Sequence, residues 1–272
     1  MTSFQTIYLL RKGNPDFWAK RFLRSFFRHT PAPGARLTLL LKGFESGETP
    51  AALSRLSQAH LKDMTFEHVD DEGFDLFAYH SYCKRAPDTL CLFLNSHSEI
   101  LHSNYIDCFE KALLQTNGRG IVGASGSYES PDQQTLPFPN AHIRTTGFLV
   151  NTDLYAKCVQ HDLTTKAGCH AFEAGQNSLT RQIADKGFPT LVVNSDGKLF
   201  DPESWDQSQT FRLGDQQKLL IGDNRSRKFH NGTNARRKHH ATSSWGEDVL
   251  VGKSSLLRVA KRQISEKLER VR

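Results

Sequence analysis

Short runs of apolar residues alternate with segments in which apolar residues recur every three or four positions. Continuous apolar runs are typical of strands buried on both faces, and the spaced pattern is typical of helices packed on one face. Apolar runs at residues 6–10, 37–41, 64–69, 89–94 and 120–124 predict five strands, with helices over 15–28, 50–61, 74–84 and 104–115 between them. A parallel connection needs a helix-sized crossover, so the pattern predicts an α/β fold with a mainly parallel sheet flanked by helices.

The rhythm changes after Tyr128, where a proline-containing loop over residues 130–139 leads to a predicted strand over 141–150. A helix over 172–186 and a strand over 189–194 are predicted to follow. Ligands of open α/β sheets bind beyond the carboxyl ends of the strands. Polar residues that directly follow a predicted strand are therefore the first candidates for a site.

Composition fits one globular chain. The 272 residues include 38% hydrophobic side chains and carry 35 Lys+Arg against 29 Asp+Glu, a net charge of +6. Neither a secretory signal nor an apolar run of about 18 residues is visible, so we expect a cytoplasmic protein without a membrane span. The five cysteines are widely spaced and form no Cys-x-x-Cys pair, which predicts neither a disulfide framework nor a zinc site.

Much of the positive charge lies at the carboxyl end. Residues 249–272 contain seven Lys/Arg against two Glu, a net charge of +5, and their apolar residues recur at helical spacing. Three interpretations remain open: a terminal helix docked on its own domain, peripheral contact with anionic lipid at the inner face of the cell membrane, or nucleic-acid binding. No interleaved aromatic residues accompany the basic ones, so we expect no nucleic-acid partner.

The most informative polar cluster follows the fourth predicted strand. Asn95, Ser96, His97 and Glu99 come directly after an apolar run. If the chain stays extended there, Asn95, His97 and Glu99 project to one side and could hold a divalent cation and, through it, a diphosphate. The alternative interpretation is a polar turn whose Ser or Asn caps the next helix.

With this polar cluster after the fourth strand, the order of strands and helices resembles that of the nucleotide-sugar-dependent glycosyltransferases of the GT-A fold, especially their bacterial family-2-like group. In that family the fourth strand ends in an Asp-x-Asp motif that binds a metal ion and the donor diphosphate. Asn95-Ser96-His97 stands in its place, and neither aspartate is present. The resemblance implies a Mn²⁺ or Mg²⁺ cofactor, for which His97, Glu99 and His230 are the candidate ligands.

Two further segments carry the resemblance. In the family an acidic residue after the third strand contacts the nucleoside, which implies Asp70 or Asp71 here, and Asp75 lies in the segment that approaches the nucleotide. Residues 172–183 are similar to a family helix whose start supplies the catalytic base, a role implied for Glu173. The alternatives are an acidic turn capping a helix at 70–72, and at Glu173 an acid favoured by a helix N-terminus.

The remaining candidates are basic or lie in the predicted strand over 141–150. Arg225 and Arg227 could meet phosphate oxygens, and the alternative is a solvated loop. Arg144 and Thr145 lie where the family lines its acceptor or sugar pocket, and Trp205 and Trp245 could stack on a sugar or pack in the core.

The sequence thus predicts a GT-A-like (Rossmann-like) catalytic domain over residues 1–230 and a basic helical extension over 231–272. The expected activity is transfer of a sugar, with inversion, from a nucleotide-sugar donor to a hydroxyl of a glycan acceptor in bacterial surface polysaccharide synthesis. The alternative is a non-catalytic nucleotide- or glycan-binding relative.

Overall fold

One sheet of eight strands organises the chain. The computed structural model describes residues 3–30, 36–54, 61, 64–130 and 136–249. The strands are β1 (Gln5–Arg11), β2 (Leu37–Lys42), β3 (Met64–Val69), β4 (Leu90–Leu94), β5 (Glu99–Ile100), β6 (Ile121–Gly123), β7 (Gly126–Ser127), β8 (His142–Ile143), β9 (Gly147–Asn151), β10 (Thr190–Val193), β11 (Leu199–Phe200) and β12 (Ile221–Gly222). The helices are α1 (Asp16–His29), α2 (Asp75–Cys83), α3 (Tyr105–Thr116), α4 (Thr152–Cys158), α5 (Lys166–Ala174), α6 (Leu179–Asp185), α7 (Asn224–His230) and α8 (Asn234–Trp245).

The strand order in the large sheet is β11-β10-β6-β9-β4-β1-β2-β3. Pairing is parallel except where β9 runs between β4 and β6 and where β11 pairs with β10. Two small antiparallel pairs, β5 with β12 and β7 with β8, lie apart from it. The predicted α/β class, with a mainly parallel sheet flanked by helices, is confirmed.

Apolar side chains cover both faces of the sheet, which explains the continuous apolar runs. Alternate residues of β1 enter two different clusters: Tyr8 and Leu10 join the side chains of α1 and α3, whereas Ile7 and Leu9 join those of α2, α4, α5 and α6. Side chains alternate between the faces of a strand, so a strand covered on both sides must be apolar at every position.

Several predicted elements differ from those observed. Helix 172–186 is two helices, because the chain breaks at 175–178 and Ser178 caps α6 by accepting from the Arg181 N–H. Strand 141–150 is also interrupted, with β8 and β9 separated by residues 144–146. The predicted helix 50–61 contains a short 3₁₀ turn at Ala51–Leu53, while 55–60 lie outside the described residues. Pro15 is the N-cap residue of α1, so this helix begins at Asp16.

The described part of the predicted carboxyl-terminal extension continues the main body. Helix α8 buries Trp245 in the same cluster as Phe93 and Trp205, and the Trp245 indole N–H donates to the Phe211 carbonyl at 2.8 Å. The predicted basic helix over 249–272 lies outside the described residues apart from Val249. Among the helices described, none has the length and apolar character that crossing a membrane requires.

Candidate functional site

The candidate site lies where the parallel strands end. Strands β1, β2, β3 and β4 all run in one direction. Their last residues, with the loops that follow, therefore meet at one edge of the sheet. Strand β9 runs the opposite way and begins at this edge, because Gly147 pairs with Leu94. The segment 144–146 therefore lies beside the loop that follows β4.

The loop after β4 is a tight turn, which corrects the expectation of an extended chain. The Ser98 N–H donates to the Asn95 carbonyl at 3.0 Å. The Asn95 side-chain oxygen accepts from the His97 N–H at 2.9 Å and the Ser98 hydroxyl at 3.1 Å. Asn95, His97 and Glu99 consequently do not project to one side as a ligand set.

Ser96 is the centre of a chain of hydrogen bonds. The Asn14 amide donates to the Ser96 hydroxyl at 2.8 Å, and that hydroxyl lies 3.3 Å from Nδ1 of His97. Burial lowers the pKa of His97, and the charges of Arg227 and Lys228 lower it further while Asp223 opposes them. The lowered pKa favours the neutral form of the His97 imidazole near pH 7.

Glu99 belongs to a different cluster. Its carboxylate pairs with Arg227 and lies 3.7 Å from Arg21. The Arg227 guanidinium lies 5.1 Å from the ring centre of Trp18, whose ring contacts that of His97. Two arginines share one carboxylate here, so this side of the edge keeps a net positive charge.

The predicted metal ligands therefore do not fit a divalent cation. Glu99 is occupied by arginines, and His230 is an exposed residue of α7. Within the part of the chain that the structure describes, no group of three or more His, Cys, Asp or Glu side chains could hold a metal ion.

The acidic loop after β3 is tied to a buried lysine that the sequence analysis missed. Lys42 ends β2 with a fully buried side chain, and its ammonium group donates to the carbonyls of Asp70 at 3.0 Å and Glu72 at 2.7 Å. The ammonium also lies 3.3 Å from the Asp71 carboxylate. Burial lowers the pKa of Lys42, while Asp71 raises it. Lys42 fixes the loop, and the carboxylates of Asp70 and Asp71 remain exposed.

Glu173 reaches the edge from the last turn of α5. This position corrects the expectation that it begins a helix, so the favourable effect of a helix N-terminus does not apply. One of its oxygens, Oε1, accepts from the Thr145 N–H at 3.2 Å and the Thr145 hydroxyl at 3.3 Å. Its other oxygen makes no hydrogen bond with any residue that the structure describes.

Asp75 lies beside Glu173. Burial raises the pKa of Asp75 to about 6, the charge of Glu173 raises it as well, and Arg11 lowers it. The side chain begins α2, where its Oδ1 accepts from the Leu76 N–H at 3.0 Å. Two carboxyl groups thus share one corner of the edge, and the pKa of one of them, Asp75, is raised, an arrangement typical of sites that move protons.

Asp223, which the sequence analysis also missed, links the segment 144–146 to the start of α7. Pairing of β12 with β5 brings it there, and it accepts from Arg144 at 3.0 Å and from the Thr146 hydroxyl at 2.8 Å. Burial by itself would raise the pKa of Asp223, but Arg144 and the hydrogen bonds from Ser226 and Thr146 hold it well below its usual range. Asp223 is therefore a buried carboxylate that remains charged.

His142 is the third missed residue. Its Nδ1 lies 2.9 Å from the Asn140 carbonyl, which can only accept, so Nδ1 bears the proton and Nε2 is an acceptor. Burial lowers the pKa of His142, with Glu173 opposing and Arg144 assisting. The sequence analysis named Arg144 and Thr145 nearby but not His142, because the carboxylate that acts on His142, Glu173, comes from a helix distant in the sequence.

The structure thus brings most of the predicted site residues to one edge. Thr145 contacts Glu173, and Thr146 contacts Asp223 and, through its carbonyl, the Ser98 hydroxyl at 2.5 Å. Arg225 and His230 are exposed on α7. Trp205 and Trp245 are buried, with the Trp205 indole N–H bonded to the Phe200 carbonyl, so both pack in the core.

No family model matches the sequence, and no curated protein sequence matches it. Solved structures with a similar chain path include the galactosyltransferase LgtC in complex with donor and acceptor sugar analogues, at 11% identity and a TM-score of 0.44 over 66% of this chain and 70% of that one. The mannosyltransferase PcManGT from Pyrobaculum calidifontis, in complex with GDP-Man and Mn²⁺, is 11% identical with a TM-score of 0.46 over 70% of this chain and 56% of that one.

A protein described as a glucose-1-phosphate thymidylyltransferase from Bacillus anthracis, in complex with sucrose, is 6% identical, with a TM-score of 0.43 over 68% of this chain and 84% of that one. The similar structures thus include both sugar transferases and a nucleotidyltransferase.

Proposed function

We propose that the chain is a glycosyltransferase that moves a sugar from a nucleotide-sugar donor to a hydroxyl of a glycan acceptor, with Glu173 as the base. The observation that carries the proposal is the continuity of the edge from the Asn95–Ser98 turn to Glu173. Ser98 bonds to Thr146, and the neighbouring Thr145 bonds to Glu173. A leaving diphosphate beside the turn and an acceptor hydroxyl beside Glu173 would lie within one cleft.

Sugar transfer requires a base that takes the proton of the acceptor hydroxyl and a separate group that holds the leaving diphosphate. As the acceptor oxygen bonds to the anomeric carbon, the bond from that carbon to the diphosphate breaks and its electron pair leaves with the phosphate. The hydroxyl proton passes to the Glu173 carboxylate, a contribution worth about 10²- to 10⁴-fold in rate. Thr145 donates two hydrogen bonds to Oε1, which leaves Oε2 to accept the proton. Such a single displacement inverts the anomeric configuration.

The donor half of the proposal uses the other residues. Asp70 and Asp71 would contact the nucleoside, because their loop is anchored by Lys42 at the end of the neighbouring strand. Asp75 would lie close to the sugar, and Arg225 and Arg227 of α7 would face the diphosphate beside the Asn95-Ser96-His97 turn. Arg144 would act by holding Asp223 and Thr146 in place rather than by touching the sugar.

The acceptor and the location of the enzyme belong to the same proposal. By resemblance, the acceptor is a growing bacterial surface polysaccharide, and the enzyme works at the inner face of the membrane, where the basic residues 249–272 would contact anionic lipid.

Substitution of Glu173 tests the role of the base. We expect Glu173→Gln to lower sugar transfer at least 100-fold with little change in nucleoside diphosphate binding, because the amide cannot take a proton. Radiolabelled transfer to a glycan acceptor from a panel of nucleotide sugars gives the rate, and calorimetry gives the binding. Glu203→Gln, an exposed change away from the edge, serves as the matched control.

Normal transfer by Glu173→Gln would contradict the role of Glu173. If the unchanged protein binds nucleotides or glycans but neither hydrolyses nor transfers any donor sugar, the non-catalytic binding protein becomes the better interpretation.

A further inference from the structure

The guanidinium group of Arg11 lies at the centre of the edge and forms no ion pair with any described residue. Arg11 is the last residue of β1, which lies between β2 and β4. Its Nε is buried without a hydrogen-bond partner, and across the described ranges no carboxylate forms a salt bridge with it. A buried donor that lacks a partner destabilises the structure, and a bound acceptor would recover that energy.

The side chain lines a recess whose other polar groups suit an anion. Asn14 and Ser96 contribute an amide and a hydroxyl to the same recess, and Trp18 forms an aromatic wall. Asp16 also lines it, but its carboxylate lies 3.9 Å from the Lys20 ammonium. The recess therefore combines an unpaired cation with neutral hydrogen-bonding groups, directly beside the turn that replaces the acidic motif.

Three other cations of this edge already have partners. Lys42 is held by Asp70, Asp71 and Glu72. Arg144 is paired with Asp223, and Arg227 with Glu99.

The charge of Arg11 nevertheless reaches both sides of the site. Burial and the charge of Arg11 both lower the pKa of Lys42. Burial and the charge of Glu173 raise the pKa of Asp75, whereas the charge of Arg11 lowers it. Arg11 therefore lies near both the loop proposed for the nucleoside and Asp75, which is proposed to lie close to the donor sugar.

From these contacts we infer that Arg11 binds a phosphate of the nucleotide-sugar donor and supplies the positive charge that an Asp-x-Asp motif would supply through a metal ion. The inference rests on the proposed function and deepens it. A guanidinium group can form two parallel hydrogen bonds to a phosphate, and it keeps its positive charge in proteins. Asn14 and the Ser96 hydroxyl would complete the phosphate contacts.

The test compares nucleoside diphosphate binding by four proteins. UDP, GDP and dTDP are titrated by calorimetry into the full chain and into Arg11→Gln, Arg11→Lys and Arg119→Gln, once with EDTA and once with Mn²⁺. Arg119 is an exposed arginine just before β6, at the opposite edge of the sheet, and gives a matched control. Thermal unfolding followed by circular dichroism shows whether each variant is folded.

We expect the unchanged chain to bind at least one nucleoside diphosphate in EDTA. Arg11→Gln should weaken that binding at least tenfold, Arg11→Lys should weaken it less because the charge remains, and Arg119→Gln should not weaken it. A folded Arg11→Gln protein that binds normally would overturn the inference, as would binding that vanishes in EDTA; both results leave the proposed function standing. If the unchanged chain binds none of the three under either condition, the proposed function fails and the inference fails with it.

Discussion

At the residue scale, ionisation at the site is controlled by burial and by a few neighbouring charges. Asp75 and Asp223 are both carboxyl groups at the same edge, yet their pKa values move in opposite directions. Asp223 has Arg144, Thr146 and Ser226 as partners, whereas Asp75 has a second carboxyl group beside it. The same residue type can therefore hold a proton at one position and a charge at the other.

Asp75 gives a testable pH dependence of stability. The folded state binds the Asp75 proton more tightly than the unfolded chain does, because the pKa rises from 3.8 to about 6. The stability that this proton contributes is present below about pH 4 and is lost as the pH rises through about 6. Asp75→Asn, which keeps an acceptor for the Leu76 N–H, should raise the free energy of unfolding by about 3 kcal/mol at pH 8.

Urea denaturation at pH 8 and at pH 4 measures the effect, and the gain should shrink towards zero at pH 4. Asp185→Asn, an exposed change at the end of α6, should give no comparable difference between the two pH values. A stabilisation by Asp75→Asn that is equal at both pH values would contradict the assignment of the raised pKa.

At the element scale, short elements and turns bring the site residues together. Strands β5 and β12 pair through two residues each, and that pairing places Asp223 at the N-cap of α7 beside Arg144. Gly147 permits the close approach, because a side-chain carbon there would lie 2.9 Å from Ile221. Such short elements carry no periodic pattern, so sequence analysis could not predict them.

The Arg144–Asp223 pair should be an important local contribution to stability. Asp223→Ala removes the cap of α7 and leaves the buried Arg144 without its partner. Loss of one member of a buried pair costs about 3–5 kcal/mol. We expect a decrease of that size in the free energy of unfolding, measured by urea denaturation at pH 7.

The exposed pair Lys218–Asp196 provides the comparison, because Asp196→Ala should cost less than about 1 kcal/mol. Asp223→Asn, which retains an oxygen for the cap, should fall between the two. Equal losses for Asp223→Ala and Asp196→Ala would show that the buried pair contributes no more than the exposed one.

At the scale of the whole molecule, both faces of the sheet are sealed by helices. All five cysteines are free and buried in the two resulting cores. Burial raises the pKa of Cys91 and of Cys169 to about 12. Reaction requires both access and a thiolate, so these thiols should react only when the structure opens.

Labelling with a thiol-reactive chromogen tests this expectation. In native buffer at pH 8 we expect little reaction within minutes, and in guanidinium chloride five thiols per chain should react at once. Rapid native labelling of a core thiol such as Cys158 would show that its part of the core opens separately from the rest.

The sequence by itself determined the fold class and the edge of the sheet where the site lies. Apolar runs identify strands buried on both faces, and polar residues after a strand identify its carboxyl end. Asn95, Ser96 and His97 were therefore found from local pattern alone. Resemblance then added Glu173 and Asp75, which the structure places side by side.

Tertiary structure alone decided which side chains share an environment. Three side chains acquire their environment from charged groups that are distant in sequence: Lys42, His142 and Asp223. Arg11 shares its recess with Ser96, which is also distant in sequence. Glu99 pairs with arginines because its loop is a turn rather than an extended strand. Periodicity reports which face of an element is buried. It carries no information about which charged groups meet there, because that depends on how the elements pack.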